Sequence, residues 1–257
     1  MTKSTALLET YLKQLRLPTF VQNYRKLAEE ATSANLTFDR YLLALVEQEV
    51  AQREANLQKR RIKAARFPVL KELADFDFSV VPRLNKAQVL ELARGMYIPN
   101  AEPIILLGAP GLGKTHVATG LALAAARLGY KVRFYNAAGL VNDLLQLQEK
   151  NQLSRFLTQA LKQQLIVIDE LGFVPFSQLG GQVMFQFCSA VYERVALIVT
   201  TNLQFSEWNQ VFGNERLTGA LLDRLTDRAK ILEFVGESYR LRKTLKLKAH
   251  AETAGVA

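Results

Sequence analysis

Residues 108–115 have the types and spacing of a loop that binds phosphate. Their sequence, Gly-Ala-Pro-Gly-Leu-Gly-Lys-Thr, matches the pattern G-x-x-x-x-G-K-[ST] at every fixed position. An apolar run precedes them and an alanine-rich segment follows, which is the strand–loop–helix context that the pattern requires. Glycines let the backbone turn its N–H groups towards phosphate oxygens, and the helix adds the positive end of its dipole. The alternative is a glycine-rich turn with a purely structural role, and the flanking segments argue against it.

Each part of this loop has an expected role in holding a nucleoside triphosphate. Lys114 is expected to reach the β and γ phosphates, and the hydroxyl of Thr115 is expected to ligate Mg²⁺. The predicted nucleotide-binding residues are Gly108, Ala109, Pro110, Gly111, Leu112, Gly113, Lys114, Thr115 and His116.

Two acidic residues, Asp169 and Glu170, end a second apolar run at residues 165–168. A buried strand that ends in two acids is typical of a site for a cation at the carboxyl edge of a sheet. Asp169 is therefore predicted to hold Mg²⁺ through water, and Glu170 is predicted to polarise the attacking water as a general base. The alternative is a solvated strand end. The presence of both acids favours hydrolysis over binding alone.

Two further candidates rest on weaker patterns. Asn202 follows the apolar run 196–199 and is placed to hydrogen-bond the γ-phosphate or the attacking water, although Thr-Thr-Asn is also ordinary turn chemistry. Arg224 and Arg228 lie four residues apart and share one helix face. An arginine supplied by a neighbouring subunit can stabilise transition-state charge. A surface ion pair with Asp223 or Asp227 is the alternative, and spacing alone does not decide between the two.

The hydrophobic pattern divides the chain into a helical and an α/β region. Residues 1 to about 75 place their leucines at helical spacing and contain few glycines. From about residue 100, short apolar runs alternate with amphipathic stretches, which predicts a parallel sheet sandwiched by helices. We therefore expect an α/β fold with a small all-helical N-terminal domain over 1–75, a connecting segment over 76–100, a P-loop domain over 101–248 and a tail over 249–257.

The charge balance favours a polyanionic partner. Lysine and arginine outnumber aspartate and glutamate by 33 to 24 in the 257 residues, for a net charge of +9. Candidate DNA contacts are a basic run within residues 59–66, together with Lys131 and Arg133. Such contacts would be made mostly to phosphates, because the sequence contains no base-reading module or zinc spacing. The alternative for a charge run is a solvated helix face.

Cysteine content and hydropathy indicate the compartment. Cys188 is the only cysteine, so no internal disulfide can form, which fits a reducing compartment. Residues 1–14 carry charges among their leucines without a signal-peptide core, and no apolar stretch is long enough to span a bilayer. The sequence predicts a cytoplasmic protein with no membrane partner.

The motifs at 108–115, 165–170, 200–202 and 221–224 together resemble the AAA+ ATPases of the initiator and helicase-loader branch, which includes DnaC and DnaA. The similarity is closest to the IstB-like transposition ATPases of bacterial insertion sequences, on residues 60–78, 170–173, 221–225 and 238–242. This resemblance implies a protein that binds ATP and Mg²⁺ and assembles as a homo-oligomer on duplex DNA, with ATP sites between subunits. It also implies delivery of target DNA to a partner transposase, with hydrolysis controlling assembly and disassembly.

The same resemblance implies a role for each site residue. Lys114 would carry the Walker A role, Thr115 and Asp169 would bind the metal, Glu170 would be the catalytic glutamate and Asn202 the first sensor. Arg224 matches the position of the arginine finger, with Arg228 as the fallback.

Two points stay open at the level of sequence. Only about twenty residues follow position 235, too few for the helical C-terminal lid of many relatives, so a second sensor arginine would have to be Arg240 or Arg242. A replicative helicase loader and a non-hydrolysing, nucleotide-gated DNA scaffold are the alternative functions.

Overall fold

Three helices build the N-terminal unit: α1 (Lys3–Gln14), α2 (Pro18–Ser33) and α3 (Phe38–Ala65). The computed structural model describes residues 3–236 of the chain, and contacts divide it into two units between Arg60 and Arg61, within α3. Proline at the start of α2 suits a first helical turn, where no backbone N–H is needed. The domain boundaries drawn from the sequence, which placed the first division at about residue 75, stay predictions.

A buried carboxylate links the helices of the N-terminal unit. Oε2 of Glu49, on α3, accepts a hydrogen bond of 3.0 Å from the backbone N–H of Thr19 at the start of α2. Nε of Arg53 donates to the other carboxylate oxygen at 2.7 Å, and its Nη2 donates to the carbonyl of Arg16 at 2.6 Å. Burial alone would raise the pKa of Glu49, but the hydrogen bonds from Arg53 and Thr19 outweigh burial and hold that pKa below its ordinary value.

Replacing Glu49 with glutamine should therefore destabilise the N-terminal unit. A lowered pKa means that the ionised carboxylate stabilises the fold above the ordinary glutamate pKa of about 4.3, and that this contribution disappears as the pH falls further. We expect Glu49→Gln to cost about 1–3 kcal/mol at neutral pH and to flatten the loss of stability in acid. Urea unfolding followed by circular dichroism at several pH values measures both effects. Exposed Glu47 on the same helix is the control, and an equal loss in Glu47→Gln would contradict the prediction.

Five parallel strands form the sheet of the second unit: β1 (Ile104–Gly108), β2 (Val132–Asn136), β3 (Leu165–Leu171), β4 (Ala196–Thr201) and β5 (Lys230–Phe234). Their order across the sheet is β2-β3-β4-β1-β5. The three central strands are apolar on both faces, which is the pattern expected where helices cover both sides. The predicted α/β fold, a parallel sheet sandwiched by helices and preceded by helices, is confirmed.

Seven helices of the described region cover the sheet: α4 (Lys86–Leu92), α5 (Lys114–Arg127), α6 (Ala137–Glu149), α7 (Leu153–Ala160), α8 (Gln178–Val191), α9 (Asn209–Phe212) and α10 (Glu215–Thr226). One face packs against α5, α4 and the segment before them, and the other face packs against α6 to α10. Helices cover the apolar layer on each face of the sheet. The carboxyl ends of the strands are therefore held in place by packing on both sides. Among residues 3–236, no helix combines the length and the apolarity needed to cross a bilayer.

Candidate nucleotide site

The loop between β1 and α5 has the backbone that its glycines permit. Gly113 is the N-cap of α5 at φ +88°, a left-handed conformation that other residues rarely adopt. The Nζ of Lys114 donates to the carbonyl oxygens of Gly108 at 2.6 Å and Ala109 at 2.9 Å. The lysine side chain therefore folds back over its own loop, with its ammonium group beside the first turn of α5.

A short segment before the sheet lies directly on α5. A Cβ at Gly113 would lie 2.6 Å from Cε2 of Phe76, and a Cβ at Gly120 would lie 2.7 Å from Cδ2 of Leu73, so both glycines are needed for this contact. The Nε2 of His116 lies 2.7 Å from the carbonyl oxygen of Glu72. Since a carbonyl can only accept, this nitrogen carries the proton. His116 thus anchors the segment to the start of α5.

Asp169 lies at the carboxyl end of β3 between two threonines. Its Oδ1 accepts hydrogen bonds from the hydroxyls of Thr115 at 3.0 Å and Thr200 at 2.6 Å. Burial raises the pKa of Asp169, and the hydrogen bonds from the two threonines only partly oppose that rise. A divalent cation would favour the ionised form.

The oxygen donors of Thr115 and Asp169 fit Mg²⁺, which prefers hard oxygen ligands and completes its shell with water and phosphate. Within the described residues, His, Cys, Asp and Glu side chains form no group of three that could enclose a metal without such ligands. The donor set therefore matches a metal that arrives with a nucleotide.

Glu170 follows Asp169 in a strained backbone conformation at φ +61°. The pairing of β3 with β4 shifts register between Ile168 and Leu171, and the backbone N–H of Glu170 donates to the Thr200 hydroxyl at 2.8 Å. This irregularity turns the Glu170 side chain out of the sheet, where it is exposed. Its Oε2 accepts a hydrogen bond of 3.0 Å from Nδ2 of Asn136, the last residue of β2.

These groups surround a single cavity of about 540 Å³, a size within the usual range for small-molecule sites. The phosphate loop forms one wall, and Glu170 and Phe173 form another, together with the end of β4. Asn202 lies at that end and lines the cavity, as do Thr200 and Thr201. The segment between Lys71 and Val80 closes the remaining side. Of the sequence-predicted residues, Pro110 to His116, Glu170 and Asn202 line this cavity. Gly108, Ala109 and Asp169 do not line it, although Asp169 accepts a hydrogen bond from Thr115, which does.

The sequence pattern of the IstB-like ATP binding protein family matches residues 10–247. The ATP-binding protein of insertion sequence IS5376 from Geobacillus stearothermophilus is 33% identical over 233 residues, which are 91% of this chain and 93% of that one. The ATP-binding protein of insertion sequence IS21 from Pseudomonas aeruginosa is 33% identical over 239 residues, 93% of this chain and 90% of that one. This chain belongs to the IstB-like ATP binding protein family. The resemblance noted from the motifs is confirmed.

Solved structures share the fold of this IstB-like protein. AMPPCP-bound DnaA from Aquifex aeolicus aligns with a TM-score of 0.55 at 19% identity, covering 70% of this chain and 56% of DnaA. DnaI aligns with a TM-score of 0.53 at 16% identity, covering 64% of this chain and 91% of DnaI. At these identities the likeness concerns the AAA+ fold alone.

Arg224 of the IstB-like chain lies away from the cavity. It is not among the residues that line it, and its side chain contacts α8: Nη1 donates to the Ser189 hydroxyl at 3.1 Å, and the guanidinium lies 4.8 Å from the centroid of the Phe185 ring. Arg228 follows the end of α10 at Thr226, has a φ of +52° and is exposed, so the prediction that it shares a helix face with Arg224 is wrong. Arg240 and Arg242, the candidates for a second sensor, lie outside the described residues, as do residues 238–242 of the family resemblance and the predicted tail.

Three contributors to the site of this IstB-like protein escaped the sequence prediction. Thr200 hydrogen-bonds both acids, Asn136 binds Glu170, and the segment with Phe76 closes the cavity. One feature of the sequence marks Asn136: it follows an apolar run and precedes a helix, which is the position of an N-cap. In the structure its Oδ1 accepts hydrogen bonds from the backbone N–H groups of Ala138 and Gly139. Its contact with Glu170 depends on strand order, which that feature of the sequence does not contain.

Replacing Asn136 with aspartate should separate its two roles. Aspartate still caps α6, but it cannot donate to Glu170 and repels its carboxylate. We expect kcat for ATP hydrolysis to fall about ten-fold through the misplaced carboxylate, with KM and the melting temperature nearly unchanged. Steady-state kinetics and thermal melting measure this. Asn136→Ala is the comparison, because it additionally loses the cap and about 1 kcal/mol of stability. An unchanged kcat in Asn136→Asp would contradict a positioning role.

Proposed function

We propose that this protein is a Mg²⁺-dependent ATPase that assembles on duplex DNA and delivers target DNA to a transposase, with hydrolysis controlling assembly and disassembly. The observation that carries the proposal is that the phosphate loop, Thr115 and Glu170 line one cavity and that Asp169 accepts a hydrogen bond from Thr115. Binding alone would require only the loop, whereas the exposed carboxylate of Glu170 beside it supplies a base for hydrolysis.

In this proposal each side chain of the site has a separate role in binding or hydrolysing ATP. Backbone N–H groups of residues 111–115 and the ammonium of Lys114 bind the phosphates, which requires Lys114 to leave the carbonyls of Gly108 and Ala109. Thr115 and Asp169 hold Mg²⁺, which neutralises phosphate charge when bound. Glu170 takes a proton from the attacking water, and Asn202 orients that water or the γ-phosphate.

Two features favour an ATP site that is shared between subunits. Phe173 lines the cavity beside Glu170 with 64% of its surface exposed, and a second copy of the chain would cover such an apolar group. The exposed Arg228 lies away from the cavity residues of its own chain and is available to a neighbour. We therefore propose Arg228, rather than Arg224 with its contacts to α8, as the arginine that reaches the neighbouring site.

The DNA and transposase parts of the proposal rest on the relatives and on charge. The relatives named above are ATP-binding proteins of insertion sequences, mobile elements whose transposition needs a transposase and a target. A net charge of +9 favours a polyanion. A helicase loader is the second candidate, because the motifs of this chain also resemble the helicase-loader branch of the AAA+ ATPases.

The test measures ATP hydrolysis with and without duplex DNA, and binding of a partner transposase from an insertion sequence of this type. We expect duplex DNA to stimulate turnover, Mg²⁺ removal to abolish it, and the transposase to bind the ATP–DNA complex. Lys114→Ala is the control, because this variant is expected not to bind the nucleotide. Preference for single-stranded DNA and binding of a replicative helicase would favour the loader, and slow turnover that ignores DNA would favour a nucleotide-gated scaffold.

A further inference from the structure

The end of α3 and the start of β2 bring two separate basic segments to one surface. Nη1 of Arg133 donates to the carbonyl oxygen of Ala64 at 3.1 Å. Arg61 packs against Gly129, in the turn before β2, with its Nη1 3.2 Å from where a Cβ at that glycine would lie. Burial raises the pKa of Tyr135 on β2, and the nearby charges of Arg133 and Arg66 oppose that rise. We define the basic edge as Arg61, Lys63, Arg66, Lys131 and Arg133.

The charges of the basic edge are not neutralised by carboxylates. Within residues 3–236, none of its five side chains forms an ion pair, whereas Arg25 pairs with Glu9 and Arg127 with Glu72. Lys63, Arg66 and Lys131 are exposed. In the described part of the chain β2 pairs with β3 alone, so these cations lie near the free edge of the sheet.

Buried apolar residues support the backbone beneath these charges. Ala65 is fully buried, and Ile62 and Phe67 pack against the apolar layer beneath β2, with the rings of Phe67 and Phe134 6.0 Å apart. The bond from Arg133 to Ala64 satisfies a carbonyl in the last turn of α3, where cations are favourable. The backbone that carries these side chains is therefore packed in place without a partner, although the exposed lysine and arginine head groups are not fixed by contacts.

We propose that the basic edge is the surface through which this protein binds the phosphate backbone of duplex DNA. The inference rests on the proposed function and specifies which surface performs it. Arginine and lysine side chains bind phosphate oxygens without reading base sequence, which suits a protein that accepts many targets. A competing role exists for charges at a free strand edge, since they prevent pairing with other sheets.

The experiment compares two charge-matched triple variants of the full chain. Lys63→Gln, Arg66→Gln and Lys131→Gln together remove three charges of the basic edge, while Arg133 is kept because it also holds α3. The control combines Lys13→Gln, Arg40→Gln and Arg194→Gln, three exposed residues outside the edge that form no ion pair in the described region. Binding to a fluorescent duplex of random sequence is measured with a non-hydrolysable ATP analogue across about 50–200 mM salt.

We expect the basic-edge triple to bind duplex DNA at least about ten-fold more weakly, and the slope of log K against log salt to fall by about 3. The control should stay within about three-fold of the parent. The single variants Lys63→Gln and Lys131→Gln should each lower the slope by about 0.9 and keep the inference testable if the triple folds poorly.

Three results would overturn the inference. The first is a basic-edge triple that binds as the parent does, and the second is an equal loss in both triples. The third is a triple that aggregates while its soluble fraction keeps parental affinity, which would assign the charges to protection of the strand edge. A parent that binds no duplex DNA would instead refute the proposed function itself, so the two failures are distinguishable.

Discussion

Replacing Glu170 with glutamine is expected to lower kcat for ATP hydrolysis by about 100-fold or more, while ATP still binds. Glutamine keeps the size of the side chain and can still accept the hydrogen bond from Asn136, but it cannot take a proton from water. Because Lys114, Thr115 and Asp169 are untouched, the phosphate contacts remain. The variant should stay longer on duplex DNA, since hydrolysis is proposed to drive disassembly.

The measurement combines single-turnover hydrolysis, binding of a fluorescent ATP analogue and dissociation from labelled duplex DNA. Glu193→Gln is a matched control, because Glu193 is also an exposed glutamate with a positive φ, +55° against +61° for Glu170. Any cost of glutamine in that backbone conformation therefore appears in both variants. Parental turnover in Glu170→Gln would show that this carboxylate is not the base, and the nucleotide-gated scaffold would become the better description.

Removing the side chain of Arg228 should lower kcat about 1,000-fold with little change in ATP binding, if it acts on the neighbour's site. Arg224→Ala should behave differently, since it loses the bond to Ser189 and the contact with the Phe185 ring. We expect it to cost about 1–2 kcal/mol of stability, visible as a lower melting temperature, with a smaller effect on kcat. Exposed Arg216 on α10 is the control, and Arg216→Ala should change neither quantity.

Mixing two inactive variants shows whether the arginine acts between subunits. An Arg228→Ala subunit keeps Glu170, and a Glu170→Gln subunit keeps Arg228, so a mixed oligomer contains some interfaces with both groups intact. Random mixing in equal amounts should restore about a quarter of parental turnover, because one ordered pairing in four is complete. If Arg228 served its own subunit, mixing would restore nothing. If mixing with Glu170→Gln restores turnover for Arg224→Ala but not for Arg228→Ala, then Arg224 is the arginine finger.

The main strands and the phosphate loop were predictable because their signals are local. Each central strand is apolar on both faces, so its run of residues is visible without knowing its neighbours. Gly113 and Lys114 are recognised by their spacing, and the alanine-rich segment expected to follow the loop as a helix is α5. The order of the strands and the positions at which they meet are not local properties.

Asn136 is an example of a contact that could not be predicted from the sequence. Its contact with Glu170 requires β2 to lie beside β3 and Asn136 to pair with Asp169 in register. The turn of Glu170 out of the sheet depends in addition on the register shift between β3 and β4. Phe76 is similar, because nothing in its neighbourhood of the sequence indicates that its ring meets Gly113. Such contacts follow from the packing of distant segments.

The close fit of the Leu73–Phe76 segment on α5 has an evolutionary consequence. Gly113 and Gly120 are seven residues apart, two helical turns, so they present one shared face to Phe76 and Leu73. A mutation that enlarges Gly120 is tolerable only in a lineage whose side chain at position 73 has already become smaller. Across homologues we therefore expect positions 73 and 120 to co-vary, whereas position 113, constrained also by its positive φ, should remain glycine whatever stands at 76.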